Sequence, residues 1–384
     1  DCAASLSSRQ SRSRQRLDNR GLTPRDTANR IIGAHFSTPM GSRFAVRSFL
    51  VIAGCSALIG LAGSSAESAD TIRISGSSTV FPITKAAIQG FRTTGQGKSV
   101  DFDVKETGST AGFREFCSGN IPLANASRPI SGKELKRCAE NGINFIELPI
   151  AFDAITVVVN PGNHWARSMT VNELSRLWNK SAQGTINRWN QVNLDYPDQA
   201  IKLCGPGNDS GTYDVFNKTI NGSKTNSRTD YLASEDDNEL VKCVADNRQA
   251  LAYFGYAYYK NNIKKLKAVK IVNSKDNAVM PSVKSVQNEK YRPLSRPLFL
   301  YINDQSLRNN KPFRQFISYY LRNISSLVTT SNYIPLPDAT YRLVDSKKYR
   351  HILGTSFGGN LPVGLTIGQA IDRSFDQHKT EYHR

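Results

Sequence analysis

Strand-like and helix-like segments alternate along this chain, which predicts an α/β fold with largely parallel sheets. Three observations carry the prediction. Short alternating or wholly apolar runs, such as 71–75 and 154–159, fit strands. Segments with apolar residues three and four apart, such as 81–91 and 171–178, fit helices. Clusters of Gly, Ser and Thr stand between them and supply turns and caps.

Residues 71–75 (TIRIS) alternate like a strand, 76–79 (GSST) carry turn and cap chemistry, and 81–91 form a helix with Pro82 tolerated in its first turn. The pattern repeats: 100–105 reads as a strand, 108–112 (GSTAG) as a turn, and 113–117 as the start of a helix. Residues 121–125 form a short strand ending in Ala126-Ser127-Arg128-Pro129. Segment 145–159 holds two apolar runs, the second, 154–159, being a fully buried strand. Residues 171–178 are an amphipathic helix, 200–203 a strand, 205–211 a Gly-rich loop and 212–220 a helix. The rings of 253–259 fit core and interface packing. A buried strand at 297–303 and a helix at 312–321 complete the pattern. A Gly-rich, charged tail from 346 includes a short helix at 367–375.

The chain has 384 residues, enough for two or three domains, with 39% hydrophobic and 21% charged residues, as in ordinary globular proteins. Net charge is +18; nine Arg and four acids fall in 1–69, which leaves a surplus of 13 on 70–384. Such a field favours anionic partners. No Lys/Arg run interleaved with aromatics is present, so nucleic acid is not an expected partner.

Met40 opens an export signal: Arg43 and Arg47 precede an apolar stretch at 48–61, then small residues with cleavage sites after Ala66 or Ala69. The apolar stretch is too short to span a bilayer comfortably. Residues 40–69 are therefore a signal peptide. Ile52-Ala53-Gly54-Cys55 also resembles a lipobox, so lipidation of Cys55 and ordinary cleavage both stay open. The Arg/Ser-rich 1–39 are either a disordered extension or sequence upstream of the true start.

Four of the six cysteines lie beyond the signal: Cys117, Cys138, Cys204 and Cys243. An exported chain with an even count predicts two disulfides. Three pairings exist, and the sequence-local one is Cys117–Cys138 with Cys204–Cys243. The absence of a CxxC pair argues against zinc.

Three strand-to-helix junctions share one character: Gly76-Ser-Ser-Thr79, Gly108-Ser-Thr-Ala-Gly112 and Asp209-Ser-Gly-Thr212. A helix N-terminus presents unpaired N–H donors and a partial positive charge. Ser and Thr there cap the helix or donate to a ligand, and Gly admits a ligand to the backbone. One such junction reads as a plain cap. Three after strands, where α/β sheets bind ligands, make a site for a tetrahedral oxyanion. Arg128, after a fourth strand, adds a planar donor fork.

The segments ISGSSTVFPIT, KETGSTAGFREFCSGNIPLANASRPI, GPGNDSGTYDVFNKTI and AYFGYAYYKNN, in that order over most of 70–340, resemble the phosphate-binding proteins of ABC importers. The resemblance implies a type II periplasmic-binding fold, with two α/β lobes and a ligand cleft between them. Crossings would lie near 152–158 and 294–300, with lobe I at 70–152 and 300–345, lobe II at 153–299, and a tail at 346–384. It implies phosphate ligands at Ser78, Thr79, Val80, Ser109, Ser127, Ser210, Gly211 and Thr212. Two positions depart from the family's best-known pattern: its Asp falls at Ser127 and an Arg falls at Pro206. Arg128 is the expected replacement guanidinium. Phosphate carries a proton that sulfate lacks, and a buried carboxylate reads it; Asp153 and Asp209 are the candidates for that role.

The same resemblance implies a periplasmic, monomeric solute carrier with no cofactor or metal, delivering inorganic phosphate to membrane permease subunits. Sulfate, molybdate or tungstate is the alternative cargo. An exported phosphatase is a distant third. His164, His351, His378 and His383 form no HxxxH spacing, Asn208-Asp209-Ser210-Gly211 lacks the first Gly of a nucleophile elbow, and no GxxxxGK[ST] loop occurs.

Overall fold

In a computed structural model, which describes residues 71–272 and 277–360 with Gln369 and Arg373, the first strand is Ile72–Gly76 (β1). The signal segment, Cys55, residues 1–39 and the helix expected at 367–375 lie outside the described residues, Gln369 and Arg373 apart. Ile72 and Ile74 of β1 are buried, as the alternation requires. The chain then enters Phe81–Arg92 (α1), with Pro82 in the first turn. Phe102–Glu106 (β2) leads to Ser109–Cys117 (α2), which begins four residues before the expected start. Gly108, at φ +82°, makes the whole turn alone, so Ser-Thr-Ala-Gly becomes the first helical turn. Leu123–Ala126 (β3) and Gly132–Glu140 (α3) come next, the latter opened by a Ser131/Glu134 capping box.

The two apolar runs expected at 145–159 are one buried strand of 15 residues, Phe145–Val159 (β4). Pro149 does not break it, because the pairing with Ser295–Asn303 shifts register beside it, between Leu298 and Phe299. An irregularity there accommodates the missing N–H. After β4 come Ser168–Thr170 (β5), Val171–Trp178 (α4), Trp189–Val192 (α5), Lys202–Pro206 (β6) and Gly211–Asn221 (α6). Leu232–Ser234 (β7), Asp237–Ala245 (α7), Ala250–Gly255 (β8) and Tyr256–Asn261 (α8) continue the alternation. Short pieces Lys267–Ala268 (β9), Lys270–Val272 (β10), Ala278–Val279 (β11) and Val283–Gln287 (α9) precede Ser295–Asn303 (β12). The last described helices are Asp304–Asn309 (α10), Lys311–Arg322 (α11), Ile324–Thr330 (α12) and Asp338–Tyr349 (α13).

The main sheet runs β2-β1-β3-β12-β4-β8-β6-β7. β1 pairs in parallel with β2 and β3, and β6 in parallel with β7 and β8. Between these parallel groups, β12 and β4 run antiparallel to each other and to their outer neighbours. Residues 145–154 of β4 pair with β12, and 155–159 pair with β8. The chain thus passes from a first α/β half to a second along β4 and returns along β12.

Each half has its own disulfide, and the pairs are the sequence-local ones. Cys117–Cys138 ties α2 to α3, and Cys204–Cys243 ties β6 to α7. Each sits in a separate apolar cluster, one around Phe113, Phe116 and Phe299, the other around Leu240, Val244 and Phe254. Closing loops of 21 and 39 residues contributes about 3–4 kcal/mol each on the chain-entropy account. No described helix is long and apolar enough to cross a membrane.

Candidate functional site

The site grows from the ends of β1, β3 and β6. Gly76 ends β1 at φ +132°, and a Cβ there would collide with the Asn125 carbonyl of β3, so only Gly lets the two strands run on together. Ser78 and Thr79 come directly after, buried, at the mouth of α1. Val80 N–H donates to Ser77 O at 3.2 Å, inside the turn. Ser109 opens α2, and its Oγ accepts Ser127 N–H at 3.0 Å and lies 3.2 Å from Ser127 Oγ. Ser210 caps α6: its Oγ accepts from Thr212 N at 3.0 Å and Tyr213 N at 3.4 Å.

These junctions come from both halves and meet. Thr79 Oγ1 and Thr212 Oγ1 are 3.2 Å apart. Thr110 N–H donates to Asp209 O at 2.8 Å. A Cβ on Gly211 would stand 2.5 Å from Ser109 Oγ and 2.6 Å from Ser127 Oγ, so α6 begins against the serines of the first half. Two of the three helix N-termini that the sequence singled out, those of α1 and α6, converge through their threonines, and α2 meets α6 through Ser109.

Asp153 and Arg296 face each other as paired positions of β4 and β12. Arg296 donates to Asp153 Oδ2 from Nε at 3.2 Å and from Nη2 at 3.0 Å. Its Nη2 also donates to Thr212 Oγ1 at 2.8 Å and Thr79 Oγ1 at 3.1 Å. Asp153 Oδ1 accepts Tyr256 N–H at 2.9 Å. Both side chains are buried, each compensating the other's desolvation. Arg296 was missed by the sequence reading. Its signal was a lone Arg heading an otherwise apolar strand.

Arg128 is placed differently from expectation. Glu134 receives both of its Nη atoms, at 2.7 and 2.8 Å, while Thr110 Oγ1 and Pro129 O take further bonds at 2.8 and 3.0 Å. Its Nε lies 2.7 Å from Asp214 Oδ2, an ion-pair distance although off the N–H axis, and the guanidinium covers the Phe113 ring at 5.1 Å. Burial opposes its charge, but the hydrogen bonds and charges of Glu134 and Asp214 outweigh burial and hold it protonated. Both Nη atoms are taken by the protein and Nε faces the Asp214 carboxylate, which leaves no side of the guanidinium for the role expected of it. Asp209 also points elsewhere, its carboxylate 3.4 Å from the Arg114 guanidinium, with both groups partly exposed.

Carboxyls ring one edge of the site. Burial, and then the charge of Asp236, push Glu106 up to about 7, against the pull of Tyr258 and Lys85. Burial likewise takes Glu235 up to about 7. Asp237 is held well above the carboxylate range by burial, with Arg296 pulling the other way. Tyr258 closes this edge: its hydroxyl lies 3.1 Å from Ser78 O and 3.4 Å from Glu106 Oε2. Among the described residues no group of His, Cys, Asp or Glu has a metal-holding arrangement.

Two α/β halves, joined by two through-running strands and meeting at helix N-termini, define a two-lobed solute-binding protein of the type II plan. Comparison with known proteins agrees: residues 62–323 match the PBP superfamily domain, and the chain belongs to that family. Protein SphX of Synechocystis sp. is 46% identical over 307 residues, 80% of this chain and 90% of that one. The phosphate-binding protein PstS of Staphylococcus haemolyticus is 33% identical over 278 residues, 71% of this chain and 84% of that one. A crystal structure of a possible phosphate binding protein from Planctomyces limnophilus shares 38% identity, with a TM-score of 0.55 over 74% of this chain and 99% of that one.

Proposed function

We propose that this protein captures inorganic phosphate outside the cytoplasm and delivers it to the membrane permease of an ABC importer. The carrying observation is the convergence of Thr79, Ser109, Ser127 and the Ser210–Thr212 turn, from both halves, at helix N-termini. Neutral hydroxyls gathered from both halves at helix N-termini suit a tetrahedral oxyanion. In this reading Ser78, Thr79, Val80, Ser109, Ser127, Ser210, Gly211 and Thr212 line the anion. Val80 contributes through its place in the turn, since its N–H is already engaged with Ser77 O. Lobe I is 70–152 with 300–345, and lobe II is 153–299. Residues 346–384 form the tail, which begins inside α13.

Ser210 Oγ is engaged as a helix cap, which suits a carrier better than a nucleophile, so we read the protein as non-enzymatic; the same reading makes it a monomer with no cofactor or metal. Residues 40–69 export it to the periplasm, and a lipid on Cys55 would tether it to the membrane. One observation favours a broader cargo: Ser127 stands where the resemblance puts the proton-reading Asp. Calorimetric titration with phosphate, with and without excess sulfate, decides. Tight one-to-one binding that survives sulfate is the expected result. Binding lost to sulfate would mean a general oxyanion carrier, and no heat from either anion would sink the reading. A model phosphate ester incubated with the protein should release no phosphate.

A further inference from the structure

We infer that Arg296 is the guanidinium that grips the bound anion, and that Asp153 is the residue that positions it. The inference deepens the phosphate-binding reading and rests on it.

A guanidinium has five N–H groups. Nε and Nη2 spend theirs on Asp153, Thr79 and Thr212. Nη1 is buried and has no partner in the protein. A buried charged donor without an acceptor is costly and seldom kept without a use. Thr79 stands next to Val80, the N-cap of α1, and Thr212 lies in the first turn of α6, so the guanidinium sits where two helix N-termini meet. Both N-termini carry partial positive charge. Asp153 offsets the full charge of the guanidinium, and the two helix N-termini add positive potential beyond it. An anion is the chemistry that such a place lacks.

The arrangement also assigns Asp153. Its Oδ1 accepts Tyr256 N–H and its Oδ2 accepts twice from Arg296. It is thereby a clamp on the guanidinium, in place of the proton-accepting role considered from sequence. The charge that the family pattern brings in at 206, here a Pro, arrives instead from β12.

The competing account is a structural ion pair that only joins β4 to β12. Calorimetry with inorganic phosphate separates the two on the full chain, using wild type, Arg296→Lys and the double variant Arg296→Met with Asp153→Asn, which removes both charges together. We expect the double variant to bind phosphate about 100-fold more weakly and Arg296→Lys, which keeps the charge but loses the fork, about 10-fold. Asp153→Asn alone should shrink the phosphate-induced rise in thermal midpoint, a readout that a merely structural pair would leave intact while lowering the phosphate-free midpoint. Binding within threefold of wild type by the double variant, or by Arg296→Lys should the double variant not fold, overturns the inference and leaves the carrier reading standing. A wild type that fails to bind phosphate overturns both.

Discussion

The tripeptide Ser-Arg-Pro occurs twice, at 127–129 after β3 and at 295–297 at the head of β12, and the two arginines are equally buried, at 2% exposure. Around Arg128 the chain supplies two carboxylates, a hydroxyl, a carbonyl and an aromatic face. Around Arg296 it supplies one carboxylate and two threonine hydroxyls, and leaves Nη1 with nothing. The difference teaches that burial and motif do not separate a structural arginine from a ligand-facing one. What faces the remaining nitrogen does: the Asp214 carboxylate lies against Arg128 Nε, and no protein group lies against Arg296 Nη1.

The comparison can be broken hardest at Arg128. Arg128→Met should cost about 3–5 kcal/mol of stability, because it strands Glu134 and Asp214 in the interior; denaturant unfolding measures it. Phosphate affinity of the folded fraction should stay within a few-fold, and a loss like that expected for Arg296 would erase the distinction. Next in size is Gly211→Ala. The added methyl meets the hydroxyls of Ser109 and Ser127, and overpacking of about 1–3 kcal/mol should lower the phosphate-free midpoint by a few degrees and weaken phosphate binding about tenfold.

A smaller effect sharpens the electrostatics. Glu106 is raised from its ordinary value to about 7, so the folded protein holds a proton there that the unfolded chain releases. That contribution is fully present below the unfolded value, near 4.5, and is lost as pH rises through about 7. Glu106→Gln should therefore flatten the fall in thermal midpoint between pH 5 and pH 8, by about 2–4 °C, and calorimetric scans across that range test it. Smallest is Arg114→Ala. Its exposed contact with Asp209 is worth less than about 1 kcal/mol, and a larger change in phosphate affinity would move Arg114 into the site.

The alternation of strands and helices was legible because each element is a local pattern. The hydroxyl-bearing junctions were legible for the same reason, although of the three only Ser210 caps its helix, α1 and α2 starting at Val80 and Gly108 without a side-chain cap. Arg296 was not, because its meaning depends on Asp153, 143 residues away, and on the register between two strands. Arg128 was misassigned although its partner lies six residues on. Glu134 serves two ends at once, closing a capping box with Ser131 and pairing with the guanidinium, and the second role is not written in the local sequence. The continuity of β4 through Pro149 was likewise hidden, because the irregularity that accommodates a proline belongs to the pairing and not to the strand.

The cysteine spacing has a consequence for how the molecule is made. Cys117 finds its partner 21 residues on, and Cys204 finds its own 39 residues on, with no crossing between the pairs. A chain that emerges N-terminus first, from a ribosome or through an export channel, offers its thiols in the order in which they are joined. Oxidation in order of appearance yields the native connectivity directly, without the thiolate exchange that crossed pairings require.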